Sequence, residues 1–195
     1  MIKSSGILIF LLIMPIVFIH AQTKVALQYV YADGKVIKEV DASESELVVA
    51  YDHRLLTILG LERLHQLKRV ELIGLDNFSD IGIFSAVPSL EMIVLDAMVR
   101  IDKIDDLFMV SNLTCIIIRG CPGLANESSM KIDLRQTLNI RYLQIADSGL
   151  NSPPLFSSIP ESLQYLNFQV INLLLFLILS DCRLESGFIY SIILL

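Results

Sequence analysis

The most regular feature of the chain is a pattern of apolar residues that returns with a period of 23. Its motif reads apolar-x-x-apolar-x-apolar, with a polar first residue in the first copy and a four-residue insertion within 121–139. In chain order the copies begin at Glu44, Leu67, Leu90, Leu113, Ile140 and Leu163. We therefore predict six repeats over residues 44–168, because self-similarity at a fixed period indicates a repeat architecture.

Each repeat is predicted to contain a short strand followed by an irregular return. Apolar residues alternate in the motif, so they point to one side of a strand whose copies stack into a parallel sheet. After the strand, apolar residues recur at every third position, as at Leu55, Ile58, Leu61 and Leu64. A spacing of three suits 3₁₀ turns better than an α-helix. The alternative, a βαβ sheet with helical crossovers, fits this spacing and the constant step less well.

The pattern resembles that of the leucine-rich-repeat family, which follows L-x-x-L-x-L-x-x-N/C-x-L. The segment LLTILGLERLHQL at 55–67 is most similar to the bacterial internalin-type subclass. The resemblance implies a mostly-β solenoid of α/β type, with short parallel strands and 3₁₀ or irregular returns. The family's Asn/Cys position is filled here by Asp52, Leu75, Met98, Cys121 and Ser148. Since only Cys121 matches, we interpret it as a buried structural residue and expect a less firmly tied turn after each strand.

Two different segments precede the repeats. Residues 1–21 combine Lys3, an apolar run and Ala21, the layout of a signal peptide cleaved near Ala21; an uncleaved anchor is the alternative. Alternating residues over 24–41 surround Asp33-Gly34, a strong signal for a hairpin. We assign 22–43 as an N-terminal β-hairpin cap, because the terminal repeats of such arrays need one.

The last segment, 169–195, is an apolar tail that departs from the repeat. Its run LLLFLIL at 173–179 has no turn residue and no polar face. A cap helix, a membrane anchor and an unselected remnant of truncation or a frame change are the three interpretations. A cap should show a polar outer face, and a membrane-spanning helix needs about 20 apolar residues. We favour the remnant.

Composition narrows the possible partners. The chain has 195 residues and a net charge of −6, which argues against a nucleic-acid partner. Export would place it in an oxidising compartment, where an odd set of cysteines leaves one thiol free or paired between molecules. Of Cys115, Cys121 and Cys182, we interpret the first two as small buried hydrophobic residues.

Signals for catalysis or cofactors are weak. The sequence has no G-x-S-x-G, G-x-G-x-x-G or phosphate-loop motif. His53 and His65 lack the spacing of zinc ligands, and we predict that both face solvent. We expect a protein that is not an enzyme and takes no metal or cofactor.

The remaining candidate for function is a surface. In leucine-rich repeats, residues between the inward leucines line the concave face, and these folds commonly bind there. Here that row is rich in aromatic residues, Met and Arg, as interfaces are. The candidate ligand-binding residues are Arg69, Met92, Val94, Ile117, Arg119, Arg141, Tyr142 and Tyr165.

We therefore predict an exported bacterial binding module, located in the periplasm, at the cell surface or in the medium. A protein is the favoured ligand and a glycan the second. The alternative is a truncated or frame-shifted fragment of a longer leucine-rich-repeat surface protein, without a function of its own.

Overall fold

The computed structural model describes residues 24–126 and 130–170, together with the backbone of 173–178 and 192–194. The predicted signal peptide, Cys182 and the rest of the apolar tail lie outside the described residues. Within them the chain is mostly β and contains a parallel sheet, which confirms the predicted class at that level.

Short strands and 3₁₀ turns make up the regular structure of the described residues. The strands are β1 Lys24–Tyr31, β2 Gly34–Asp41, β3 Glu46–Ala50, β4 Leu55–Leu59, β5 Arg69–Ile73, β6 Met92–Asp96, β7 Cys115–Arg119, β8 Lys131–Asp133, β9 Tyr142–Leu150, β10 Leu155–Ser158, β11 Tyr165–Val170, β12 Leu173–Ile178 and β13 Ile192–Leu194. The 3₁₀ turns are Leu61–Arg63, Ile81–Ala86, Asp105–Met109 and Pro122–Asn126. These turns lie in the return segments, where the three-residue spacing predicted them.

Six strands, β3, β5, β6, β7, β9 and β11, form a parallel sheet in which spatial neighbours are successive repeats. Arg69 of β5 pairs with Met92 of β6, and this offset of 23 in residue number holds from β3 to β7. Between β7 and β9 the offset is 27, as for Cys115 and Tyr142. The four-residue insertion therefore lies in the intervening return. In the returns after β7 and β9, β8 and β10 pair in parallel.

The inward side chains of the strands and returns form one hydrophobic core. In the repeats that begin at Leu67 and Leu90, every residue of the predicted apolar columns is at most 4 % exposed, and so are Leu75 and Met98 at the family's Asn/Cys position. These residues are Leu67, Val70, Leu72, Leu75, Phe78, Ile81, Phe84 and Val87, followed by Leu90, Ile93, Leu95, Met98, Ile101, Ile104, Leu107 and Val110. Burial of one such side chain contributes about 1.5–3 kcal/mol, so these columns are the main source of stability.

A residue with a left-handed backbone follows each of β3, β5, β6 and β7, and another lies at the equivalent position within β9. The five residues, with φ between 51° and 61°, are Tyr51, Gly74, Ala97, Gly120 and Asp147. The amides of the first four continue the ladder: the Gly74 N–H donates to the Asp96 carbonyl at 2.8 Å, and the Ala97 N–H to the Arg119 carbonyl at 2.9 Å. The Asp147 N–H donates instead to the side-chain Oε1 of Gln169 at 3.2 Å. The expectation of loosely tied turns is therefore wrong, because backbone hydrogen bonds supply the tie that an Asn column would give.

The N-terminal flank is an antiparallel hairpin of β1 and β2, with its turn at Ala32 and Asp33. Leu27 and Tyr29 of β1 are buried in the core. The other edge of β1 pairs antiparallel with β4, so this sheet has the order β2-β1-β4. That pairing changes the first return: Leu55–Leu59 is a strand rather than a 3₁₀ turn, because β1 offers its backbone as a partner.

At the other end of the parallel sheet the direction of the chain reverses. The backbone of β12 pairs antiparallel with β11, and that of β13 antiparallel with β12. The stretch 173–178 of the tail is therefore a strand, not the cap helix that we considered, because its backbone pairs with the edge of β11. The parallel register of the repeats ends at β11.

A buried and an exposed residue from the third repeat test the register. Leu95→Ala should destabilise the protein by about 2–5 kcal/mol, because it removes a fully buried side chain from a packed column. Glu91→Ala removes an exposed carboxylate that pairs with Lys68 at 2.8 Å, and should cost at most about 1 kcal/mol. Urea denaturation of the two variants checks this, and equal losses would contradict the register.

The left-handed turn positions give a second pair of predictions, in which two substitutions have opposite effects. Gly120→Ala should destabilise by about 1–2 kcal/mol, since a left-handed backbone is unfavourable for a residue with a Cβ. The added Cβ itself would meet only ordinary contacts, at 3.5 Å from Ala97. Ala97→Gly should instead leave stability unchanged or raise it by up to about 1 kcal/mol. Thermal unfolding measures both, and a loss for Ala97→Gly comparable to that for Gly120→Ala would refute the shared turn geometry.

Candidate binding face

The side chains that point away from the core cover the other side of the parallel sheet, here called the open face. Its first column is Glu46, Arg69, Met92, Cys115, Tyr142 and Tyr165. Its second column is Val48, Glu71, Val94, Ile117, Gln144 and Asn167, and its third is Ala50, Ile73, Asp96, Arg119 and Ala146. Because neighbouring strands lie about 4.8 Å apart, each column is a row of touching side chains.

The centre of the open face is apolar. Met92, Ile117 and Cys115 are partly exposed there, on β6 and β7. Val94 lies among them but is only 2 % exposed, because its neighbours on the same face cover it. Met92 and Ile117 can therefore contact a ligand directly, whereas Val94 can only support them.

One end of the open face is aromatic. The rings of Tyr142 and Tyr165 stack with centroids 4.3 Å apart and an interplanar angle of 5°. The Tyr142 hydroxyl donates to Gln144 Oε1 at 2.8 Å, and Asn167 Nδ2 donates to the Tyr165 hydroxyl at 3.3 Å. Partial burial, followed by the neighbouring Tyr165, raises the pKa of Tyr142. Both rings are thus held in place while their exposed portions remain available.

The opposite end of the open face is charged. Arg69 Nη2 donates to Glu71 Oε1 at 2.8 Å, and this bond raises the pKa of Arg69. Its Nε is buried without a hydrogen-bond partner. A second ion pair lies in the third column, on the central strands rather than at this end: Arg119 Nη2 of β7 contacts Asp96 Oδ2 of β6 at 2.7 Å. Both arginines are therefore oriented by carboxylates on the face itself.

Seven of the eight predicted residues lie on the open face; Arg141 does not. It is the residue before β9 and lines a separate polar groove of about 380 Å³ at the edge where the strands begin. The lining is His65, Gln66, Lys68, Ser89, Glu91, Asn112, Thr114, Asn139 and Arg141. We did not predict this groove, although the second residue of the motif is polar in every copy, which was a usable signal.

The two described cysteines are both free, and they differ in environment. Cys121 is fully buried, as predicted, and burial raises its pKa to about 11. Its N–H donates to Ser148 Oγ at 3.2 Å, which ties together two neighbouring turns. Cys115 is only half-buried, so its interpretation as a buried hydrophobic residue is wrong. It lies in the first column of the open face, where residues are covered only from the sides.

His53 and His65 face solvent, as predicted. His53 Nδ1 lies 2.9 Å from Asp76 Oδ2, with both side chains about half-exposed, and His65 lines the polar groove. Over the described ranges, no group of three His, Cys, Asp or Glu side chains is arranged to hold a metal ion. In the same part of the chain no helix has the length and apolar character needed to cross a membrane.

No family model matches the chain, and no curated protein matches it.

Thiol reactivity tests these two environments. Cys121 should resist alkylation in the native protein, because it has no exposed surface and a raised pKa. Cys115 should react, but more slowly than in the unfolded chain, since desolvation raises its pKa as well. Peptide-resolved mass spectrometry after timed alkylation distinguishes the two, with a denatured sample as the control. Equal native rates at both positions would contradict the assigned burial.

Proposed function

We propose that the chain is an exported leucine-rich-repeat solenoid that binds a protein ligand through the open face, which would be its concave side. It acts as a binding module and not as an enzyme. This is the function that the residues of the open face support best.

Repeat geometry supports the leucine-rich-repeat assignment. Successive strands from β3 to β7 pair at a constant offset of 23 in residue number, and the returns hold 3₁₀ turns behind them. The L-x-x-L-x-L part of the family's motif also recurs as apolar residues over 44–168, with Glu44 at the first position of the first copy. Bacterial origin and export rest on the sequence of residues 1–21 and on the internalin-type spacing.

One observation carries the proposal for the open face. Among the described residues, two buried side-chain polar atoms have no hydrogen-bond partner: Arg69 Nε and Asn167 Oδ1. Both belong to the open face, at its charged and aromatic ends. Buried polar groups in proteins are almost always satisfied, so each exception needs an explanation. A ligand that displaces neighbouring side chains and supplies the missing partners would provide one.

The chemistry of the face favours a protein over a glycan. The open face has an apolar centre with Met92 and Ile117. Two stacked tyrosines and two arginines, each bound to a carboxylate, lie around it, and this composition is typical of a protein interface. Each tyrosine ring packs one face against the other ring, so less flat aromatic surface is left for a sugar. Paired carboxylates suited to acid–base catalysis are not a feature of this arrangement, which favours binding over catalysis.

Photo-crosslinking tests the proposed face. A benzophenone amino acid at Ile117 should capture a protein from the surface fraction of the source cells, whereas one at the exposed Met109, on the return side, should not. The adduct should then be purified and its affinity measured with the isolated partner. The same adducts from both positions would contradict binding through the open face.

The aromatic pair should dominate the affinity. Replacing both Tyr142 and Tyr165 with Ala should weaken binding of the captured partner at least tenfold, because a truncated aromatic anchor can cost about 2 kcal/mol or more. The melting temperature should fall by only a few degrees, since both rings are partly exposed. Tyr51→Ala is the matched control: Tyr51 is 73 % exposed in a turn beside the face. Unchanged affinity in the double variant would place the ligand elsewhere.

A further inference from the structure

The outer strand of the N-terminal hairpin is an exposed sheet edge. In the sheet β2-β1-β4, strand β2 has β1 on one side and no described strand on the other. Its residues from Gly34 to Glu39 are exposed, and the apolar Val36 and Ile37 are 49 % and 66 % exposed. An edge with unpaired backbone groups is a template for pairing with another strand.

We propose that two copies of the chain pair antiparallel through β2, with Ile37 opposite Ile37 on a twofold axis. The two three-stranded sheets would then join into one of six strands. This interaction is independent of the open face.

The alternation of hydrogen-bonded and non-hydrogen-bonded pairs along the hairpin restricts the registers in which a second copy can pair with β2. Tyr31 and Gly34 close the two-residue turn, and Tyr29 pairs with Val36 and Leu27 with Lys38. In an antiparallel pair hydrogen-bonded and non-hydrogen-bonded partners alternate. Lys35, Ile37 and Glu39 therefore direct their N–H and C=O groups to the free edge. A second copy must therefore place residues from its own Lys35, Ile37 and Glu39 opposite these three.

Charge selects one register from this set. With Ile37 on the axis, Lys35 of each copy lies opposite Glu39 of the other, and opposite charges at directly facing positions are favourable. A shift by one step places Lys38 opposite Lys38 on the axis, and a further step places Glu39 opposite Glu39. Like charges that face each other directly are unfavourable. A shift the other way puts Val36 on the axis and Lys35 opposite Ile37, so that the Lys35–Glu39 pairs are lost.

The contacts within one copy leave this register accessible. Lys38 lies over the Tyr29 ring at 3.8 Å, so it packs on the core side of the hairpin. Lys35, Ile37 and Glu39 alternate with it and lie on the opposite side. Glu39 contacts Lys24 at 3.4 Å, but both side chains are more than 60 % exposed, and such surface pairs are weak. Glu39 can therefore exchange this contact for Lys35 of a second copy.

Charge reversal gives a test that a nonspecific association would not pass. The full chain should show a concentration-dependent monomer–dimer equilibrium in sedimentation velocity. Lys35→Glu or Glu39→Lys alone should raise the dimer dissociation constant about tenfold, because each places two like-charged pairs across the interface. The double variant Lys35→Glu/Glu39→Lys should restore the wild-type dimer. Lys103→Glu, an exposed charge reversal on a return segment, should leave the equilibrium unchanged.

Mixing the two single variants gives the sharpest result. A Lys35→Glu chain carries Glu at both positions, and a Glu39→Lys chain carries Lys at both. In a mixture of these two variants, only the mixed dimer has two pairs of opposite charges facing each other across the interface. With one variant labelled with ¹⁵N, native mass spectrometry should show an excess of heterodimer over the statistical mixture. A monomeric wild type up to about 1 mM, where even a weak interface associates, would overturn the proposal. So would a dimer that is insensitive to these reversals, which would use another surface.

Discussion

The structure depends on one constraint, the constant offset in the parallel backbone ladder. Because each strand from β3 to β7 pairs with the next repeat at the same offset, equal positions of successive repeats lie directly above one another. Apolar residues then form continuous columns, and each repeat covers the apolar face that its neighbour leaves open. The ladder continues into the turns, where Gly74 and Ala97 donate to the next repeat. When the offset changes to 27 after β7, the extra residues are confined to the return and the columns continue.

The same constraint creates the open face. A sheet has two sides, so a register that aligns the core columns also aligns the outward ones, whatever residues occupy them. The identity of the outward residues is therefore not fixed by the core. The ends of the face differ in chemistry because the repeats differ there: Arg69 and Glu71 are paired on β5, and Tyr142 and Tyr165 are stacked on β9 and β11. Among the described residues, the two buried side-chain polar atoms without a hydrogen-bond partner, Arg69 Nε and Asn167 Oδ1, lie at these two ends.

The sequence predicted the features that follow from periodicity. Inward columns such as Leu72 and Leu95 were visible as repeats, and 3₁₀ turns followed from a spacing of three residues. It did not predict β4, because Leu55–Leu59 becomes a strand only through tertiary pairing with β1. The left-handed turns were also hidden: Gly occupies two of them and Asp147 is a weak signal for that backbone, but Tyr51 and Ala97 carry no local signal for it. On the open face, exposure depends on the size of cross-strand neighbours, so the burial of Val94 and the half-exposure of Cys115 did not follow from the sequence pattern.

A single distance tests whether the six strands stack in sequence order. Spin labels at Ser45 and Gln164 would mark the exposed residues that precede β3 and β11, in a chain whose native cysteines are replaced. Five backbone hydrogen-bond steps join these residues, through Lys68, Glu91, Thr114 and Arg141. At about 4.8 Å per step, the two backbones should be about 24 Å apart. Double electron–electron resonance should give a narrow distance distribution at this value plus the length of the label linkers. A distance corresponding to one or two strand spacings, or a broad distribution, would contradict the stack.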